Sequence, residues 1–313
     1  MKYLAFLLSV AVMSMLVGCT SAGHPSASPV VRQVALSPTH TATATPIAPT
    51  STPTATASPV PATATPSPTA TPSMSPSPTP RPWSGQQACS TTVQVEGAGG
   101  MTEIVQVHYL LYLPQDYRQE EGRKWPLVLF LHGSEERGEN PGLLKREGLP
   151  KMLEGRPDFP AVVISPQCPQ GKRWVSRVHI LGAFLDQVQS LYAIDAERVY
   201  LTGISMGAYG AWALALRYPQ RFAAMVPIAG GANAVSDEVP QNMCDLKELP
   251  IWVFHGRLDQ NVPYTDSEKA VLALQECGGN VRFTLYDDAA HTQAWERAYA
   301  DEELYAWLFA QQR

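Results

Sequence analysis

Ser205 stands between glycines in Gly203-Ile204-Ser205-Met206-Gly207, and Asp259 in "HGRLDQNVP" and His291 in "DDAAHTQAW" follow it along the chain. Together these residue types can attack a carbonyl carbon. A free hydroxyl is a poor nucleophile near neutral pH, so Ser205 needs a general base. Histidine supplies one, and a carboxylate behind it holds the ring in the useful tautomer. Of the seven histidines only His291 lies beyond Asp259. The acid is less tightly fixed, because Asp266 and Glu268 follow the same apolar segment, although both look like the start of a helix. The attack creates a negative oxygen that must be met by donors fixed in advance. The backbone N–H of Met206, next after the serine, and that of Ser134 in "LFLHGSEERGEN" are the expected pair.

Such residues work only if something rigid presents them. Apolar, β-rich segments recur at "IVQVHYLLYLP", "WPLVLFLHG", "AVVISPQ", "RVYLTGIS", "FAAMVPIAGG", "PIWVFHG" and "VRFTLYDDA". Helical stretches separate most of them: "LLKREGLPKMLEG", "VHILGAFLDQVQSLYA", "MGAYGAWALALRYP", "SEKAVLALQECGG" and "WERAYADEELYAWLFAQQ". Val178, Leu181, Phe184, Leu185 and Val188 recur at three- and four-residue spacing, one face of a helix. Leu127 to Leu131 is apolar throughout, as in strands covered on both faces. The expected architecture is α/β: a mostly parallel central sheet flanked by helices, with Ser205, Asp259 and His291 each just past a strand end, where such sheets bind ligands.

The blocks "LFLHGSEERGEN", "SPQCPQGKRW", "GISMGAYGAW", "VFHGRLDQNVP" and "CGGNVRFTLYDDAAHTQAW" together resemble the phospholipase/carboxylesterase-like and dienelactone-hydrolase-like branch of the α/β-hydrolases. The likeness runs over roughly residues 103–310. It implies the α/β-hydrolase fold, Ser205, Asp259 and His291 as a triad, and Ser134 and Met206 as oxyanion donors. Members of this branch often read His-Gly-Ala-Gly-Glu-Arg-Gly, whereas Ser134 and Glu135 replace the small pair here, so Glu135 is expected to narrow the pocket or disfavour anionic substrates. Trp174 and Trp295, just past strand ends, are candidates for the pocket wall, with ordinary packing as the equal alternative. His132 and His255 are expected to be structural, and Glu136 and Arg137 to form a loop ion pair, with contact to substrate as the alternative. No His/Cys cluster has metal-ligand spacing and no glycine-rich nucleotide motif appears, so neither metal nor cofactor is expected.

The front of the chain is of another kind. Lys2, an apolar run from Tyr3 to Val17 and the ending Leu16-Val17-Gly18-Cys19 read as a secretory signal over residues 1–19. The run falls short of the ~20 residues of a membrane span. Its ending resembles a bacterial lipobox, which implies lipid attachment at Cys19 and anchoring at the cell surface or envelope; an ordinary signal peptide with an incidental cysteine is the alternative. Residues 20–82 are dominated by Thr, Pro, Ser and Ala, a disordered linker by composition. As polyproline II at ~3.1 Å per residue, Ser37 to Pro82 would reach on the order of 140 Å. All 28 acidic residues lie after it, against 20 of the 23 basic ones, a net charge of −8 for residues 83–313, which argues against nucleic acid.

Residues 83–313 suit one catalytic domain. The expected function is a serine carboxylesterase for short acyl or aryl esters, small or polymer-linked, with a serine peptidase of the same fold or a non-catalytic binding module as alternatives. The connection from Gly230 to Pro250 is short and polar, with no apolar helix to form a lid. Cys89, Cys168, Cys244 and Cys277 allow three pairings; the expected topology favours Cys244 with Cys277 and leaves Cys168 free.

Overall fold

A computed structural model of the chain describes residues 18–20, 85–97, 100–117, 122–236 and 238–313. Nine strands form one sheet: β1 (Gly18–Thr20), β2 (Gly85–Glu96), β3 (Thr102–Leu113), β4 (Trp125–Leu131), β5 (Val162–Pro166), β6 (Ile194–Ile204), β7 (Ala224–Ile228), β8 (Ile251–Gly256) and β9 (Val281–Tyr286). Their order is β1-β2-β3-β5-β4-β6-β7-β8-β9. The strands from β5 to β9 in that order run parallel, while β1, β2 and β3 are added antiparallel at one side.

Every residue of β4 is buried, because strands flank it and helices cover both faces. Successive side chains of a strand point to opposite faces. Leu127, Leu129 and Leu131 accordingly join one core cluster with α2 (Val178–Leu191), α3 (Met206–Arg217) and α4 (Tyr264–Glu276). Val128 and Phe130 join the other, with α1 (Gly148–Leu153), α5 (His291–Ala300) and α6 (Glu302–Phe309). Truncating one such leucine to alanine typically costs ~2–5 kcal/mol. The apolar face expected on α2 is the face that packs: Leu181, Phe184, Leu185 and Val188 are buried.

Besides β1, which was not expected in the front of the chain, three elements differ from the sequence expectation. Strand β2 was not expected, since its period-two signal is carried only by Cys89, Thr91, Val93 and Val95 among polar neighbours. The helix expected from Leu143 onward divides into a 3-10 segment, Pro141–Arg146, and the short α1, the first capped by Asn140 accepting from Gly142 N–H. The last helical stretch divides at Asp301, whose carboxylate accepts from Glu303 N–H at 2.9 Å and starts α6.

Strand β1 spans the expected boundary between signal and linker, with Cys19 opposite Cys89 in its pairing with β2. The rest of the signal and nearly all of the linker lie outside the described residues. A disulfide joins Cys244 to Cys277, with Cα atoms 5.4 Å apart, and Cys168 is free and buried. No helix of the described residues is long and apolar enough to cross a membrane.

Candidate active site

The corner between β6 and α3 carries Ser205 at φ 51°, ψ −119°. A non-glycine residue at positive φ costs on the order of 1–3 kcal/mol and persists only where its surroundings over-determine it. Ser205 N–H donates to Ile228 O at 3.0 Å, and Ser205 O accepts from Ala208 N–H at 2.9 Å. The flanking glycines permit the approach: a Cβ on Gly207 would lie 1.9 Å from Leu131 O, and one on Gly203 2.4 Å from Gly207 O. The serine is thereby lifted above the carboxyl edge of the sheet.

His291 is the first residue of α5, not a loop residue as its position after β9 suggested. Its Nε2 lies 3.0 Å from Ser205 Oγ and its Nδ1 2.5 Å from Asp259 Oδ2. Gln293 fixes the helix start by accepting from Ala290 N–H at 2.8 Å. Asp259 is fully enclosed and accepts four hydrogen bonds: Asn261 and Val262 N–H at Oδ1, each at 2.9 Å, and His291 and His255 at Oδ2. Burial pushes its carboxyl up, but the bonds from His255, His291 and Val262 outweigh burial and hold it well below the usual carboxylate range. The competing acids are placed elsewhere: Asp266 and Glu268 lie on α4, where Asp266 accepts from Tyr209 Oη–H at 2.7 Å.

The structure thus brings Ser205, His291 and Asp259 together with Ser134 and Met206 around one cleft. No acceptor among the described residues takes the N–H of Ser134 or Met206. The cleft has two lobes that meet at Ser205 and share Ser134, Asn261 and Val262. The elbow-side lobe, about 310 Å³, is bounded by Arg137, Arg173, Trp174 and Met206. The histidine-side lobe, about 610 Å³, is bounded by Glu135, Glu136, Glu147, His291 and Trp295.

Trp174 and Trp295 serve packing and wall together. Trp174 is nearly buried, donates to His132 O at 3.0 Å and meets the His132 ring edge-on. Trp295 packs edge-on against the His291 ring and donates to Glu147 Oε2 at 3.2 Å. Glu135 is exposed at the rim, its Oε1 accepting from Ser134 Oγ. The ion pair expected between Glu136 and Arg137 does not form: Arg137 donates to Ser134 O at 2.8 Å, and Glu136 is buried apart from it. His132 braces the loop, its Nε2 accepting from Cys168 N–H at 2.9 Å. His255, expected to be structural, touches the acid itself, with Nε2 3.1 Å from Asp259 Oδ2. Its place four residues before Asp259 was the available signal, as was the tendency of an Asp to gather the N–H groups two and three residues on.

This fold recurs in known proteins. A crystal structure of a thermostable esterase superposes with a TM-score of 0.53 at 28% identity, covering 73% of this chain and 72% of that one. A feruloyl esterase module from Clostridium thermocellum gives 0.51 at 16% identity, over 69% of this chain and 86% of that one, and at that identity supports the fold alone. The chain has the α/β-hydrolase fold. More narrowly, residues 159–300 match the phospholipase/carboxylesterase family, and the chain falls among hydrolases with esterase relatives. A 47-residue stretch is 45% identical to poly(3-hydroxyalkanoate) depolymerase C of Paucimonas lemoignei, spanning 15% of this chain and 11% of that protein.

Proposed function

We propose that this chain is a serine carboxylesterase that cleaves short acyl or aryl esters through an acyl-enzyme on Ser205. The observation that carries the proposal is the hydrogen-bonded line from Ser205 Oγ to His291 Nε2 and from His291 Nδ1 to Asp259, open to a cleft. Ser205 Oγ attacks the ester carbon while His291 Nε2 takes its proton. The oxyanion rests on the N–H groups of Ser134 and Met206. Collapse breaks the bond to the alcohol oxygen, and His291 returns the proton to it. Water, deprotonated by His291, then attacks the acyl-enzyme; the acid departs and Ser205 regains its proton.

The connection from Gly230 to Pro250 supports short substrates: its described residues include only a 3-10 turn, Met243–Leu246, and no α-helix to cover Ser205. Rates should fall as the acyl chain outgrows the lobe beside Trp174, each unaccommodated methylene forfeiting up to ~0.8 kcal/mol of burial. A panel of p-nitrophenyl esters of increasing chain length, run beside chromogenic peptides and with a serine-directed phosphonate as probe, tests this. Phosphonate labelling lost in Ser205→Ala and fastest turnover on short esters are expected. A surge of rate on emulsified long-chain triglyceride would make the protein a lipase, and turnover of peptides alone a peptidase.

The proposal extends to location: Cys19 carries the lipid, and residues 20–82 tether the catalytic domain to the envelope. Cys19→Ser should release the protein from membranes with its specific activity intact. The backbone register of Cys19 opposite Cys89 sharpens the test, because a lipid on Cys19 with residues 20–82 as a tether requires this short strand to leave the sheet. A mature N-terminal peptide without diacylglyceryl mass overturns the anchor.

A further inference from the structure

Three glutamates line the histidine-side lobe, and two of them already have donors. Glu135 Oε1 accepts from Ser134 Oγ at 3.2 Å. Glu147 Oε2 accepts from Trp295 Nε1 at 3.2 Å and lies 3.7 Å from Lys151 Nζ. Glu136 differs. It is 5% exposed, its Oε2 is buried with no hydrogen-bond partner, and no donor among the described residues reaches its Oε1. His132 Nδ1, 3.7 Å away, is directed to Gly133 O at 2.6 Å, and the other ring nitrogen is an acceptor. Arg137 turns to Ser134 O, and Arg146, the arginine of this lobe, is exposed and makes no ion pair with Glu136.

A buried polar group without a partner is among the more expensive things a fold can hold. This one sits beside the nucleophile. A Cβ on Gly133 would lie 3.2 Å from Glu136 Oε2 and 3.8 Å from Ser205 Cβ, so these two atoms are no farther apart than those spans laid end to end. The lobe also has a defined role in the ester reaction proposed above. The departing oxygen takes its proton from His291 Nε2, so the alcohol must lie on the side lined by His291, Thr292 and Trp295. The residue that carries the unmet acceptor therefore lines the space that receives the leaving group.

We infer that Glu136 accepts a hydrogen bond from a hydroxyl of the leaving alcohol, near its esterified carbon, and that the substrates are esters of polyhydroxylated alcohols. Such a site rejects an analogue lacking the hydroxyl, because the acceptor is then left unpaired in the closed complex. The inference rests on the proposed esterase reading and adds the alcohol to it.

The test compares butyrate esters that differ only in the alcohol: 1-propyl, 2,3-dihydroxypropyl and choline. For the wild type, kcat/KM should favour the dihydroxypropyl ester over the propyl ester by ~10–10²-fold, the range of a hydrogen bond to a charged acceptor. In Glu136→Leu the ratio of the two should fall toward one, with Glu136→Gln between. A wild type that does not distinguish them overturns the inference whether or not the variants fold. So does a variant that lowers both rates and keeps their ratio, which marks Glu136 as a brace of the oxyanion loop. Preference for the choline ester, a cation without a donor, would replace hydrogen bonding by charge attraction and overturn it too. Loss of the esterase reading is a separate outcome: it shows as Ser205→Ala retaining turnover on all three esters.

Discussion

The end of β8 and the start of α5 each hold a histidine against the same carboxylate oxygen, and the two are built differently. His291 reaches Asp259 Oδ2 with Nδ1 and leaves Nε2 facing Ser205, with 12% of its side chain exposed to the cleft. His255 reaches the same oxygen with Nε2 and is wholly enclosed; its other nitrogen meets Ser267 Oγ at 2.7 Å, which donates to Gly230 O at 3.0 Å. Residue type and shared partner do not separate them. What separates them is the neighbour of the second nitrogen, a reactive hydroxyl at a cleft in one case and a closed polar chain in the other. On the proposed mechanism a proton is exchanged with substrate only in the first. The second acts by holding the acid still.

The comparison breaks most visibly if the two histidines are interchangeable. Ser205→Ala and His291→Ala should each lower kcat by on the order of 10⁶, since members of such a unit fail together. Asp259→Asn should cost less, ~10⁴, by admitting the wrong tautomer of His291. His255→Leu should cost only ~10–10²-fold, the scale of a misplaced catalytic group, and His255→Gln, which keeps a donor near the Nε2 position, should recover part of it. Steady-state kinetics on one p-nitrophenyl ester measures all five, and a His255 variant as inert as His291→Ala would erase the distinction.

A smaller effect concerns pH. The folded Asp259 carboxyl is held below its unfolded value, ordinarily near 3.9, so its stabilisation is full above that value and fades as pH falls through the folded one. Urea midpoints of wild type and Asp259→Asn should therefore differ most at pH 5–8 and converge below about pH 4. The smallest effect tests enclosure itself. Burial pushes the Cys168 thiol up to about 11, so native protein should resist iodoacetamide at pH 8 and react once unfolded.

Much of this was legible in the chain because the signals were local. The continuous apolar run of β4 and the spaced apolar face of α2 announce buried strand and amphipathic helix directly. Ser205 was legible because the glycines at 203 and 207 have one geometric use beside a strand end. The parts that stayed hidden depend on partners distant in sequence. Strand β2 exists because β3 pairs along its whole length, a contact its own polar residues do not advertise. The hold of His255 on Asp259 stayed hidden because Ser267 and Gly230, which complete its enclosure, come from two other segments. Glu136 beside Arg137 suggested an ion pair, but adjacent side chains of a tight loop diverge, and the pairing was lost to the Ser134 carbonyl.

The Cys244–Cys277 bond closes a ring of chain that contains β8, Asp259, His255 and all of α4, and excludes Ser205 and His291. Cross-linking a loop of this size removes on the order of 3–4 kcal/mol of freedom from the unfolded chain. The benefit falls on the segment that carries the acid. A polypeptide made in a reducing compartment would thus keep its nucleophile corner and its base while the arm that orients the base is the part left slack. On the export proposed above, oxidation then finishes the alignment, and the reduced chain should be the poorer catalyst.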